Sequence, residues 1–349
     1  MSTQTLNRSR HIPVRPDWLA SRKEEIIEPG LPIIDPHHHL WDHPDARYLL
    51  PELLDDLGSG HNVISTVFME CRSMYRQGGD PDMAPVGETE FVNGIAAMSA
   101  SGTYGPARIC EGIVGHANLA LGAKARLVLE ALVAAGGGRF RGIRHSSVWH
   151  PDPEACGSSV TAPQGLLKSS GFREGFACLA PLGLTFDAWM YHTQLADLVD
   201  LANAFPETTI ITDHVGGTIG IGPYAGKRDA TFAEWRAGIR AIAACPNVNV
   251  KLGGLGMRLF GFSFHEAAEP PSSEQLAQAW RPYIEACIEA FGPQRCMFES
   301  NFPVDKGTCS YQALWNAFKR ITAKASADEK AALYRTTAAK VYRLKAEAL

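Results

Sequence analysis

The chain lacks a C-x-x-C pair, a basic block and any apolar run that approaches membrane-spanning length. Its eight cysteines are scattered, and Cys110, Cys178, Cys245, Cys287 and Cys296 sit in apolar surroundings. They read as reduced, buried thiols of a cytoplasmic protein. Lysine and arginine together number 33 against 37 acidic residues, a net formal charge of -4. Without interleaved basic and aromatic residues, nucleic acid is not an expected partner. Residues 1–28 are polar, with Arg8, Arg10, Arg15 and Arg22 but no apolar core of the kind a secretory signal needs. There is no low-complexity tract. The glycine-rich Gly136-Gly137-Gly138 follows a helical pattern instead of a strand, the wrong order for a dinucleotide fingerprint.

What is present is a repeated alternation. Eight short apolar or β-branched segments, 32–38, 62–70, 108–115, 139–145, 183–188, 208–214, 247–253 and 295–301, read as strands buried on both faces. Helical patterns lie between them. Leu195, Leu198, Val199, Ala202 and Phe205 follow helical spacing until Pro206 stops it. Segments 231–244 and 273–291 are similar, and Ser326-Ala327-Asp328-Glu329 is a capping box opening a last helix with Leu333, Val341 and Leu344 inward. Eight alternations argue for an α/β chain folded as a (β/α)8 TIM barrel. It is a single domain over 31–349, preceded by an N-terminal arm over 1–30. The runner-up is an open doubly wound sheet.

Active sites of such barrels sit at the C-terminal ends of the strands, and here those ends collect ionisable groups. Strand one ends in His37-His38-His39. Alternation puts His37 and His39 on one side, able to grip one divalent metal, and His38 between barrel and helices. Later strand ends offer Glu70, His116, Arg141 with Arg144 and His145, Asp187 with His192, Asp213 with His214, Lys251, and Glu299 with Asn301. So many charges in an apolar sheet are costly unless they face a site. Arg141 and Arg144, three apart on one strand, cannot both point the same way. The one facing the mouth, Arg144 by its position, would anchor a substrate carboxylate bidentately.

Asp35-x-His37-x-His39, Arg141-Gly142-Ile143-Arg144, Thr212-Asp213-His214, Val250-Lys251-Leu252-Gly253-Gly254 and Ser300-Asn301-Phe302-Pro303 together resemble the amidohydrolase superfamily. The similarity is to the branch of sugar-lactone and pyrone-dicarboxylate lactonases and related decarboxylases, and it runs from about Pro32 onward. The resemblance implies a TIM barrel with a metal on His37 and His39, further ligands on strands five and six (His192 and His214), and an Asp at the end of strand eight as ligand and general base. That Asp is Asn301 here, and Asn cannot take a proton from water. Glu299, two residues earlier and on the same face, is the expected substitute carboxylate. Glu70 could reach the metal from strand two.

The expected activity is hydrolysis of a small carboxylate-bearing lactone or cyclic ester in catabolism, with water as nucleophile. Glu299, Asn301, Arg144 and His145 form the expected catalytic set. Arg141, Trp41, Trp149, Trp189, Lys251 and Phe302 are the expected substrate contacts. His37, His39, His192, His214 and Glu70 are the expected ligands of a divalent metal, with zinc ahead of manganese or iron. Some lactonase relatives work without a metal, so a metal-independent route stays open. Three other readings compete: a decarboxylase of the same branch, an oxygen-activating iron or manganese enzyme, and a binding protein that has lost its base. The apolar run from Gly253 to Phe264 reads as a lid or a subunit contact, which suggests a homodimer.

Overall fold

The computed structural model describes residues 11–344 except 45 and 158–159. Strand β1 (Ile33–His38) is followed by a small antiparallel hairpin, β2 (Trp41–His43) and β3 (Ala46–Tyr48). Seven more strands follow: β4 (Val63–Met69), β5 (Arg108–Gly115), β6 (Phe140–Arg144), β7 (Thr185–Ala188), β8 (Ile210–Thr212), β9 (Val248–Leu252) and β10 (Cys296–Phe298). The eight that are not in the hairpin pair in parallel in the order β1-β4-β5-β6-β7-β8-β9-β10. Just beyond β10 the chain returns to β1. His38 bridges Phe302, the Asn301 N–H donates to the His37 carbonyl at 2.9 Å, and the His39 N–H donates to the Phe302 carbonyl at 2.7 Å. These contacts close the expected (β/α)8 barrel. All eight sequence-derived strands are present, and among the described residues the hairpin strands are the ones not foreseen.

The helices are where periodicity put them, at Leu195–Ala204, Arg228–Ala243 and Ser273–Phe291. The capping box is formed: Ser326 Oγ accepts the Glu329 N–H, and Glu329 Oε2 accepts the Ser326 N–H. Among the described residues no helix is long and apolar enough to cross a membrane.

Two features position the site. The first is a floor. Ala338, Val341, Tyr342 and Leu344, at the end of the last helical segment, pack with Ile34, Val67, Met69, Val114, Ile211 and Met297 of the barrel strands. This separate apolar cluster seals the barrel's lower end, so buried charges above it are cut off from water on that side.

The second is the N-terminal arm, which is fastened to the barrel over residues 12–27. Ile12 is buried, and its carbonyl comes so close to Gly307 that a Cβ there would lie 2.3 Å away. Arg15 donates to the His265 carbonyl, Trp18 Nε1 to those of Ala267 and Ala268, and Arg22 to that of Pro270. Glu24 accepts the Ser273 N–H, and the Ile27 N–H donates to Asn316. The arm thus straps the long loop after β9. Within that loop Leu255, Leu259 and Phe260 are buried, and Met257, Phe262 and Phe264 pack against the core. The apolar run 253–264 is folded into its own barrel, so the argument from it to a homodimer falls away.

Candidate active site

Strand β1 carries a register shift between Asp35 and His38. Asp35 turns away from the mouth and accepts from the Ser300 N–H at 2.9 Å and the Tyr311 hydroxyl at 3.0 Å, tying β1 to the chain after β10. Burial pushes its carboxyl up to about 6. His37 then faces the barrel axis. His38 faces outward, with Nε2 2.9 Å from Thr66 Oγ1, the structural place expected for it.

Glu299, one residue past β10 and fully buried, lies between two imidazoles. Its Oε1 is 2.7 Å from His214 Nδ1 and accepts the His214 backbone N–H at 3.2 Å. Its Oε2 is 2.7 Å from His37 Nδ1, though not in hydrogen-bonding alignment. The ligand atoms of His37, His214 and Glu299 all lie within 4.8 Å of one another. His214 is held in this pose by backbone at positive φ (51°), followed by Val215 at 46°.

Beneath this group lies a buried ion network. Lys251 Nζ is 2.7 Å from Asp187 Oδ1, 3.1 Å from Asp213 Oδ1 and 3.2 Å from His37 Nδ1. Tyr342, from the floor, donates its hydroxyl to the same Asp187 oxygen at 2.5 Å. Arg144 donates through Nε to Glu70 Oε1 at 2.8 Å and through Nη2 to the Glu70 carbonyl. Its Nη1 lies 3.2 Å from His37 Nε2 and 3.6 Å from Asp213 Oδ2.

The electrostatics follow from burial and these neighbours. Burial alone would lower the Lys251 ammonium, but Asp187, Asp213 and Glu299 outweigh it and its pKa is raised. Burial would raise Asp213, but Lys251, His214 and Arg144 hold it below the usual carboxylate range. Asp187, chiefly desolvated, is raised to about 6. His37 is lowered well below its ordinary value by burial, then by Lys251, His214, His39 and Arg144. It is therefore a neutral imidazole at neutral pH.

This chemistry fits a divalent cation. Two buried cations, Lys251 and Arg144, face four buried carboxylates, Glu70, Asp187, Asp213 and Glu299. Glu299 Oε2, Asp187 Oδ2 and both Asp213 oxygens lack a hydrogen-bond donor. Buried acceptors in excess of both charge and donors are what a bound ion relieves.

The structure sorts the remaining expected residues. His39 bonds the Met69 carbonyl through Nδ1 at 2.9 Å, outside the three-ligand group, while its ring stays 5.0 Å from that of His37. Glu70 is engaged by Arg144 and does not join the ligand group. Arg144 has every guanidinium nitrogen occupied, so it organises the centre instead of waiting for a substrate carboxylate.

His192 opens a single turn after β7. Its Nδ1 accepts the Ile219 N–H at 3.2 Å, and burial lowers its pKa to about 4. It too stands outside the ligand group. His145 is not brought to the centre: it accepts the Leu119 N–H and packs on Phe172 between strand and helix. Arg141 points back from the start of β6, donating to the Gly138 and Phe140 carbonyls, so it is not a mouth residue. Phe302 is buried edge-on against Tyr311, beyond the end of the strand.

Lys251 is fully buried in its ion pairs, which leaves it no surface for substrate. Asn301 donates through Nδ2 to Asp305 Oδ1 at 2.8 Å, and Asp305, chiefly through burial, is raised to about 7. Trp189 stands edge-on to His214 at 4.9 Å, and Trp41 stacks on His39 at 5.7 Å. Trp149 is half-buried on the loop after β6, its backbone N–H on Gln194. Tyr342 was missed entirely. No local signal marks it, because its role depends on where the last helix docks.

Comparison with known proteins bears on family and fold. The sequence profile of the amidohydrolase family matches residues 34–344. The y4mH protein of Sinorhizobium fredii is 34% identical over 334 residues, spanning 89% of this chain and 98% of its own. An L-fucono-1,5-lactonase of Burkholderia multivorans is 27% identical over 325 residues, 89% of this chain and 96% of that one. A solved amidohydrolase of the same species, with bound zinc, superposes with a TM-score of 0.68 at 25% identity, covering 90% of this chain and 99% of that chain.

Proposed function

The chain belongs to the amidohydrolase family, and we propose that within it this protein hydrolyses a lactone of a small sugar-like hydroxy acid, with a divalent metal, zinc first, in the site. The observation that carries the reading is the Glu299 carboxylate set between His37 and His214 at the C-terminal end of the barrel. The relatives named L-fucono-1,5-lactonase support the lactone class, and the zinc-bound amidohydrolase supports the metal. The preference for a carboxylate-bearing substrate loses its physical basis. Its expected anchor, Arg144, is engaged by Glu70.

His37, His214 and Glu299 would hold the ion, which when bound supplies Lewis-acid polarisation of a carbonyl and a more acidic water. Glu299 takes the proton from the attacking water. It has an oxygen without a hydrogen-bond donor, and it is oriented by two contacts to His214. Asp213, held ionised below the usual range, is a poorer base and instead balances Lys251 and Arg144. Trp189 and Trp41 give the pocket apolar walls beside the polar centre.

The test is elemental analysis of protein purified without chelator, paired with a ring-opening assay on a panel of 1,4- and 1,5-lactones. About one equivalent of zinc with lactone turnover supports the reading. Glu299→Gln should then lower kcat by about 10²–10⁴ and reduce metal content. Full metal and full turnover in that variant would sink the assignment of Glu299, and a wild type inert to the whole panel would sink the lactone reading.

A further inference from the structure

Between the loops after β8 and β9 lies a cavity of about 470 Å³ that the centre described above does not use: none of His37, His214 and Glu299 lines it. The helices Arg228–Ala243 and Ser273–Phe291 complete its wall through Arg228, Thr231 and Tyr283. The two loops are locked together beside it. Gly220 donates its N–H to the Leu259 carbonyl at 2.7 Å, and a Cβ on Gly220 or Gly261 would lie 2.3 Å from a backbone oxygen of the other loop. Close backbone packing therefore gives the cavity fixed walls, at a volume within the range of about 300–1,000 Å³ common for small-ligand sites.

The polar part of the wall carries donors in excess of acceptors. Arg228 is fixed by its stack on Phe262, 4.3 Å from the ring centre, and donates to the Phe260 and Gly261 carbonyls and to Tyr283 Oη at 3.1–3.3 Å. Its Nε stays free, and among the described residues no carboxylate pairs with it. The helix that Arg228 opens has no side-chain cap at its N-terminus, so its first N–H groups have no partner within the helix. Tyr224 Oη lies 3.3 Å from His150 Nε2, while His150 Nδ1 accepts the Asp152 N–H at 3.0 Å. The imidazole proton is thus directed at Tyr224, whose own proton is left to give. Thr218, also in the wall and only 3% exposed, has a hydroxyl with no partner.

Donors in excess around an unpaired guanidinium suit an anion, as acceptors in excess at the centre suit a cation. The rest of the wall is apolar: Ile219, Phe260 and the rings of Tyr224 and Tyr283. One guanidinium, with Asp229 beside it in the first turn of the helix, suits a single negative charge better than two. We propose that this cavity is a binding site for a small organic carboxylate. The charge lies on Arg228 and the open helix end, and the apolar body lies against Ile219 and Phe260. The site needs neither the metal nor turnover, so it stands or falls separately from the lactone reading.

The experiment is calorimetric titration of the whole protein with benzoate, beside neutral benzamide and inorganic phosphate. Benzoate should bind with a Kd below about 1 mM, and benzamide and phosphate at least about tenfold more weakly. Arg228→Leu should raise the benzoate Kd about 10–100-fold, the size of one charge-assisted hydrogen bond. Arg228→Lys should raise it less, because the ammonium keeps the charge and loses the fork. Thr218→Val, of nearly the same shape, should raise it about threefold or more. The thermal midpoint of each variant checks its fold, and Arg228→Lys and Thr218→Val carry the test if Arg228→Leu does not fold.

Benzoate that binds folded Arg228→Leu as tightly as wild type is held elsewhere, at the metal centre for instance, and the cavity site is overturned. No benzoate binding below about 10 mM overturns it too, and so does benzamide bound as tightly as benzoate. Phosphate bound more tightly than benzoate overturns the organic carboxylate as ligand. A wild type that binds benzoate through Arg228 and opens no lactone keeps this site and loses the lactone reading.

Discussion

Gly254 holds its place because any side chain there would strike His214. Its φ is +69°, and a Cβ would lie 2.5 Å from the His214 Cγ and Nδ1. Gly254→Ala should therefore displace His214 from Glu299 and lower both metal content and activity by tenfold or more, with the barrel still folded. Elemental analysis beside circular dichroism checks this, and a variant that keeps its metal would show the ring has room to yield. At this scale the sequence was most legible where chemistry and alternation coincide. His37, His214 and Glu299 were singled out from strand ends and pleat, and they converge. Arg141 was misplaced because it lies at the start of β6 and points back from it, while His145 and Phe302 lie just past the ends of their strands, where the sequence does not announce which way a side chain turns. Lys251 read as either a substrate contact or a buried partner, and only the positions of Asp187 and Asp213 on neighbouring strands decide it.

At the scale of elements, the eight buried strands were readable because strands covered on both faces are written as continuous apolar runs. The hairpin was not, since three-residue strands carry too little pattern. The final helical segment was recognised by its capping box but not as the floor of the barrel. Its contribution to the charged centre can be measured. Tyr342→Phe removes the hydroxyl from Asp187, which then keeps Lys251 alone on that oxygen. The variant should lose about 1–3 kcal/mol of unfolding free energy in urea. A loss below a few tenths would show that Lys251 suffices.

For the molecule as a whole, the buried ionisable groups set a pH optimum of stability. In chelated protein His38, His61 and His192 are lowered to about 4 and His145 to about 3, mainly by burial, and His37 and His39 are also lowered. Between about pH 6.5 and 4 the unfolded chain binds protons that the folded chain refuses, so this stability, full above 6.5, is lost on acidification. Asp35 and Asp187, raised to about 6, Asp305, raised to about 7, and Glu88, raised to about 8, run the opposite way. With His11 and His265 also lowered and Asp56 also raised, eight imidazoles outnumber five carboxyls on the acid side, while Asp305 and Glu88 weaken the fold as pH rises towards 8. Urea unfolding at several pH values should find a maximum near pH 6.5. Stability that climbs steadily from pH 6.5 to 5 would mean the carboxyls dominate.

The floor made by Ala338, Val341, Tyr342 and Leu344 has a consequence for synthesis. The chain leaves the ribosome N-terminus first, so β1 waits for β10 before the barrel can close, and the closed barrel waits longer for its base. Until residue 344 has emerged, Lys251 and Asp187 stand over an opening that water can enter. Dehydration of the ionic centre therefore follows the emergence of every barrel strand. Any segment attached beyond residue 344 would hang from the very piece that performs it.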